Sequence, residues 1–270
     1  MENHLPPKTE KPLNTSHPAL KPTTTPGANL VRLAGGACRL EIPLGPKGRY
    51  RLAQLDDYSR LSRERFPWQP PATLNLEARV SSAAIPGTWG FGLWNDPFSL
   101  SMGFGGGERR LPALPNAAWF FFASPQNYLS FRDDLPAQGF MAQTFRSRSL
   151  PAPLLAFSLL GAPALAWPWL ARKVRPMFKH FIREAALAPQ KDVCQWHTYC
   201  LEWKFEAVTF RINGEKVFKT AISPLGRLGL ILWIDNQYAA FPPDGKLSYG
   251  KLESPETAWL EIKSISLTAS

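Results

Sequence analysis

The chain has little of what builds metal centres or disulfide scaffolds. Its three cysteines, Cys38, Cys194 and Cys200, are odd in number and lack zinc-ligand spacing, which predicts free thiols and no metal. The N-terminal stretch MENHLPPKTE has no apolar core of a secretory signal, so a cytoplasmic chain is expected, with peripheral membrane contact left open. Residues 1–28 hold six prolines, a Thr-Thr-Thr run and almost no large apolar side chains. Such a composition cannot bury enough surface to fold, so this segment is expected to be a disordered tail. Acids are also scarce, with 21 Asp and Glu against 31 Lys and Arg, a net charge of +10 that favours anionic partners. No nucleic-acid-binding motif accompanies the charge, so nucleic acid is not expected as a partner. Gly103-x-Gly105-Gly106-Gly107 lacks the Gly-Lys-Ser/Thr ending of a phosphate loop and any βαβ context, and no cofactor is expected.

Aromatic residues are abundant, with ten tryptophans and 17 phenylalanines, and the apolar fraction of 44% supports a sizeable core. The segment from Trp196 to Trp233 reads as consecutive strands. Tyr199, Leu201, Trp203 and Phe205 alternate with polar neighbours, as do Val208, Phe210 and Ile212. Asn213-Gly214 offers the two left-handed residues of a tight type I′ turn. Leu228–Trp233 is short and nearly all apolar, as a strand covered on both faces would be. In the front half, Cys38–Ile42, Leu74–Val80 and Trp89–Leu93 alternate likewise, and Tyr128–Asp133 and Gly139–Phe145 read as two more strands. The pattern is that of an antiparallel β-sandwich.

The run His197-Thr198-Tyr199 with Trp203, then Asn213-Gly214, then Leu228–Trp233, resembles the back half of the concanavalin A-like jelly roll. It is the version used by family 16 glycoside hydrolases such as laminarinases and lichenases. The resemblance covers residues 72–146 and 192–268 and implies an all-β jelly-roll sandwich of two antiparallel sheets. It also implies a catalytic strand carrying Glu-x-Asp-x-(x)-Glu, whose alternate positions put the carboxylates on one face. The matching strand, Ala117–Ser124, reads AAWFFFAS and holds no acid. No catalytic residue can therefore be carried over. A relocated pair such as Asp96 with Asp133 is the remaining route to glycoside hydrolysis.

Candidate ligand-binding residues cluster in two places. In GTWGFGLWNDPF, Gly90, Gly92 and Trp94 share one strand face, followed by Asn95 and Asp96. Glycine within a strand marks either close approach of a ligand or tight sheet packing, and both readings stand. After the buried apolar strand, Asp235, Asn236, Gln237 and Tyr238 fall where the resemblance implies a cleft, and they suit a sugar or polar headgroup. Arg132 adds a fork for a carboxylate, phosphate or sugar hydroxyl, or for a structural ion pair.

Residues 147–191 interrupt the sandwich pattern. Leu150–Leu170 is uncharged but broken by four prolines, and strands on both sides belong to one sandwich, so a single membrane crossing is ruled out. Val174, Met177, Phe178, Phe181 and Ile182 then recur at helical spacing, with Arg172, Lys173, Arg175 and Lys179 beside them and Trp167 and Trp169 at the junction. This is the pattern of an interfacial helix on an anionic membrane. A lid over an apolar groove and a plain structural insertion are the alternatives. The expected organisation is thus a tail (1–28) and a jelly-roll domain (29–270) with a helical insertion (147–191). The expected partner is a glycan, glycolipid or other amphipathic ligand. A cryptic hydrolase and a structural interaction module are the competing readings.

Overall fold

The computed structural model describes residues 20–97, 110, 113–148 and 167–269. Two seven-stranded antiparallel sheets stack face to face. The first, sheet A, contains β1 (Lys21–Thr24), β4 (Leu52–Asp56), β6 (Thr88–Trp94), β7 (Ala117–Ala123), β8 (Gly139–Ser147), β9 (Ile182–Leu187) and β13 (Gly229–Asp235), in the order β1-β4-β13-β6-β7-β8-β9. The second, sheet B, contains β2 (Asn29–Arg32), β3 (Cys38–Ile42), β5 (Ala72–Val80), β10 (His197–Trp203), β11 (Val208–Ile212), β12 (Glu215–Thr220) and β16 (Ala258–Ala269), in the order β12-β11-β10-β5-β16-β3-β2. A small ribbon of β14 (Gln237–Ala240) and β15 (Ser248–Lys251) stands beside them.

Alternation decides which side chains enter the core. Trp89, Phe91 and Leu93 of β6, Ala118, Phe120 and Phe122 of β7, and Leu230, Leu232 and Ile234 of β13 point toward sheet B. They meet Leu74, Leu76 and Ala78 of β5, Tyr199, Leu201 and Trp203 of β10, and Phe210 of β11. Phe120 lies at the centre, 5.0 Å from the Tyr199 ring and 5.2 Å from the Phe210 ring, both edge-on. This is the favoured aromatic geometry. Asn213 and Gly214 adopt φ of 52° and 78° and close the two-residue turn between β11 and β12, as a type I′ turn requires. The sandwich expected from the sequence is thus what forms.

Four boundaries differ from expectation. Residues 21–24, assigned to the tail, form β1 and pair with β4; the 1–19 part of the tail lies outside the described residues. Tyr128–Asp133 is irregular rather than a strand, with only a bridge from Tyr128 to Ala240, because its backbone is bonded sideways to other loops. The described part of the insertion is one helix, α1 (Pro168–Phe181), and then β9, which extends sheet A beside β8. Ile182 and Ala185 fit a helical period but sit in β9. Ile182 is buried against Phe145, showing that pairing with an open sheet edge outweighs local periodicity. The apolar stretch 150–166 lies outside the described residues.

α1 is fastened by Arg175, which is only 2% exposed. Its guanidinium donates to the carbonyls of Ser130 (3.0 Å), Phe131 (2.8 Å), Arg132 (3.1 Å) and Phe241 (2.8 Å) and to the Asp133 carboxylate. The expected lipid contact at Arg175 is therefore corrected: it is an internal clamp joining the helix to loop 128–133 and to Phe241, just after β14. Phe178 stacks beside Phe131 and meets Phe241 edge-on, and Lys179 pairs with Asp133 at 2.6 Å. Arg175→Met strands several backbone acceptors at once, and hydrogen bonds to charged groups are worth about 1.5–3 kcal/mol each. We expect a loss of at least about 3 kcal/mol. It is read from the denaturant midpoint; an unchanged midpoint would remove Arg175 from this role.

Candidate functional site

The site lies on the face of sheet A turned away from sheet B. Here the outward residues form rows across the strands. Gln54, Trp233, Gly90 and Phe121 make one row, and Asp56, Ile231, Gly92 and Trp119 the next. Bulky rings thus alternate with glycines. A β-carbon on Gly90 would come within 2.5 Å of the Phe120 carbonyl and 2.8 Å of the Trp233 ring. One on Gly92 would come within 2.5 Å of Trp119. Gly90 leaves room for the Trp233 ring, and Gly92 for the close approach of the β7 backbone at Ala118 and Trp119. Trp119 is 5.6 Å from Trp233 and 5.5 Å from Phe121, and Phe121 is 5.9 Å from Trp233.

Above these rings is a half-enclosed cavity of about 170 Å³. Trp94, Trp119, Phe121, Ile231 and Trp233 supply its apolar surface. Tyr50, Leu52, Gln54 and Tyr58 close one side, and Asn127, Leu129, Gln237, Tyr238 and Ala239 the other. An apolar cavity of about 150 Å³ takes a benzene molecule, so the space suits one six-membered ring.

The polar lining is largely locked. The Trp233 indole N–H donates to Thr88 Oγ1 at 3.0 Å, and that hydroxyl donates to Asp235 Oδ1 at 2.8 Å. Asp235 also accepts the Gln237 backbone N–H at 3.2 Å. Burial raises the Asp235 carboxyl to about 7, against these hydrogen bonds, which pull it down. The Trp119 indole N–H is held by Gln143 Oε1 at 3.1 Å. Asp96, at φ 47°, is ion-paired to Arg110 at 2.6 Å; burial raises its carboxyl while Arg110 and Arg63 oppose the shift. Arg110 also donates to the carbonyls of Tyr58, Ser59 and Leu61. Two lining groups stand apart: the Gln237 side-chain N–H₂ and the Trp94 indole N–H are buried with no hydrogen-bond partner. An unpaired buried donor costs about 1–3 kcal/mol, which an acceptor on a ligand would recover.

Of the residues singled out from sequence, the structure brings Trp94, Asp96, Asp235, Gln237 and Tyr238 together around this cavity. Gly90 and Gly92 are corrected: Gly90 lies against the Trp233 ring and Gly92 against the β7 backbone at Ala118 and Trp119, and neither lines the space. Asn95 is a backbone clamp, donating to the Leu114 carbonyl and accepting the Asn116 N–H. Asn236 does the same for Arg49, Arg51 and Leu252. Arg132 forks onto Asp134 at the surface. Sequence reasoning missed Trp119, Phe121 and Trp233 as cavity residues. Their alternation along β7 and β13 was the available signal. Trp119 and Phe121 stand on the outward face of the strand to which the resemblance assigns the carboxylates.

Two carboxylates line the cavity among the described residues, Asp96 and Asp235. Asp235 is paired with Thr88 at one end of β6, and Asp96 follows Trp94 at the other. Six residues of strand separate those ends by about 20 Å. Glycosidase pairs stand about 5–5.5 Å or 6.5–9.5 Å apart, so these two cannot act across one bond. Asp133 is held by Arg175 and Lys179 and is not in the lining. Among the described residues no three His, Cys, Asp or Glu side chains converge as a metal site.

The fold and site define an all-β jelly-roll sandwich of two antiparallel sheets, with an aromatic cavity on the outer face of one. No family model and no curated protein matches the chain. Among solved structures it is similar to a mixed-linkage-glucan GH16 protein of Bacteroides ovatus bound to a G4G4G3G product, at 9% identity over 92% of this chain and 94% of that one, TM-score 0.48. It is similar to the β-glucanase of Bacillus licheniformis at 9% identity over 96% of each chain, TM-score 0.44. It is also similar to a legume lectin-like domain from Entamoeba histolytica at 8% identity over 92% and 90%, TM-score 0.45. Likeness at this level does not bear on activity, and the fold rests on the strand order itself.

The raised Asp235 carboxyl sets a pH dependence. From about pH 4 to 7 the native state keeps a proton that the unfolded chain has released, so stability falls as pH rises through this window. Asp57, raised to about 6 by burial, acts in the same direction. A shift from 3.8 to about 7 corresponds to an effect on the order of 4 kcal/mol. Asp235→Asn keeps an acceptor for Thr88 and should flatten the decline, with its advantage over the parent greatest above pH 7. Urea midpoints across pH measure this, and parallel profiles would refute it.

Proposed function

We propose that the chain binds a neutral glycan, or the sugar head of a glycolipid or similar amphipathic ligand, in the aromatic cavity and does not cleave it. The observation that carries this reading is the unpartnered Gln237 amide set at the edge of an indole-lined space. Sugars present apolar faces to rings and hydroxyl acceptors to amides, and binding sites of this kind join an apolar lining to a few placed polar groups. Neutrality follows from charge. The Arg110 guanidinium is occupied by Asp96 and three carbonyls, so the lining reserves no cation for an anionic ligand. Against hydrolysis stand the separation of Asp96 from Asp235 and the rings of Trp119 and Phe121 on the strand where the resemblance implies acids.

Calorimetric titration with neutral oligosaccharides and short alkyl glycosides tests this. Trp119→Ala and Gln237→Leu should each weaken the bound member of the panel about tenfold, close to 1.4 kcal/mol. No reducing ends should appear from β-1,3 or β-1,3-1,4 glucans. Turnover abolished by Asp96→Asn or Asp235→Asn would establish the hydrolase reading instead. Unaltered binding in both cavity variants would place the ligand elsewhere.

A further inference from the structure

Helix α1 has two faces, and the fold uses one of them. Ala171 and Arg175 are buried, and Phe178 fits between Phe131 and Phe241. The other face carries large apolar groups into solvent: Trp167 is 60% exposed, Trp169 58%, Met177 58% and Phe181 40%. Arg172 and Lys173 are exposed among them, and Arg183 is exposed at the start of β9 just beyond the helix. Lys173 lays its ammonium over the Trp169 ring at 5.6 Å, so its stem runs along apolar surface while its charge reaches outward. No acid occurs from residue 167 to 183. The first one, Glu184, turns inward to Ser130 and the Arg132 N–H.

We infer that this face is an interfacial contact with anionic lipid. The partner must be negatively charged at its surface and apolar just beneath it, because the cations and the bulky apolar groups share one face. The headgroup and acyl boundary of an anionic bilayer has that layering, and a helix of 14 residues with a strong polar face lies along it. No described helix is long and apolar enough to cross a membrane, which agrees with lying in the plane. Nucleic acid would satisfy Arg172 and Lys173 but offer Met177 and Phe181 nothing. The Arg175 clamp presents the face already ordered, which lowers the entropic cost of association. The assignment replaces the lipid-contact set expected from sequence. Val174 and Phe178 are half-buried on the docked side, Arg175 and Ile182 are internal, and Lys179 is bonded to Asp133. It goes beyond the cavity reading and does not depend on it.

The test is co-sedimentation of the full chain with phosphatidylcholine vesicles, with and without phosphatidylserine. Binding should require phosphatidylserine and weaken as salt rises. Trp169→Ser with Phe181→Ser should lower partitioning about tenfold, and Arg172→Glu with Lys173→Glu should abolish the preference for phosphatidylserine. These side chains are exposed, and circular dichroism and unchanged melting confirm folding. Phe205→Ser, an exposed aromatic just after β10 of sheet B, should leave binding unchanged. Absence of vesicle binding, equal binding to both vesicle types, or an equal loss in Phe205→Ser would overturn the assignment. None of these results alters glycan titration, so the two readings fail separately.

Discussion

Sheet A carries large apolar side chains on both of its faces, and water has to be kept from both. On the inner face sheet B does this, through the packing of Phe91, Phe120, Tyr199 and Phe210. On the outer face no third large sheet stands among the described residues, only the two-stranded β14–β15 ribbon at one side. The cover is assembled from pieces: Tyr58, Leu61 and Phe66 on one flank, and Leu129, Ala137 and the β14 segment on the other. The helix holds the second flank in place through Arg175. The cavity is where these pieces do not meet. Trp94, Trp119 and Trp233 look into it because the cover is incomplete, and Gly90 of β6 leaves room for the Trp233 ring.

The same constraint explains the chemistry that is missing. A strand facing a wet cleft can carry carboxylates. A strand whose outward side chains are packed under loops and rings cannot, since each unpaired buried charge would cost several kcal/mol. β7 accordingly carries Trp119 and Phe121 outward. The acids that remain near the cavity are each restrained: Asp96 by Arg110, and Asp235 by Thr88 and the Gln237 N–H. The proposed binding would draw on apolar contact and on the free Gln237 amide and Trp94 indole N–H.

Most of the sandwich was legible in the sequence because period-two alternation translates directly into sheet faces. Trp89, Phe91 and Leu93 went to one face and Gly90, Gly92 and Trp94 to the other, as alternation requires. The site was half legible. Asp235 ends β13, Gln237 and Tyr238 open β14, and all three fall where the resemblance implies a cleft. The meaning of the glycines was not legible, because it depends on the register that sets Trp233 beside Gly90 and Trp119 beside Gly92. Arg175 was hidden for a related reason. Amphipathic spacing identifies a helix but cannot tell a solvated arginine from one that faces inward to carbonyls supplied by loops distant in sequence. β1 was missed because an edge strand of four residues, with one side open to solvent, needs little apolar content.

The central claim is that the outer face of sheet A holds a ligand and leaves it whole. Native mass spectrometry of the full chain with a mixture of neutral oligosaccharides and alkyl glycosides tests this most directly. A one-to-one complex whose ligand mass stays unchanged on prolonged incubation is the predicted result. Fragment masses appearing in step with loss of the parent ligand, or the absence of any complex across the mixture, would contradict the account.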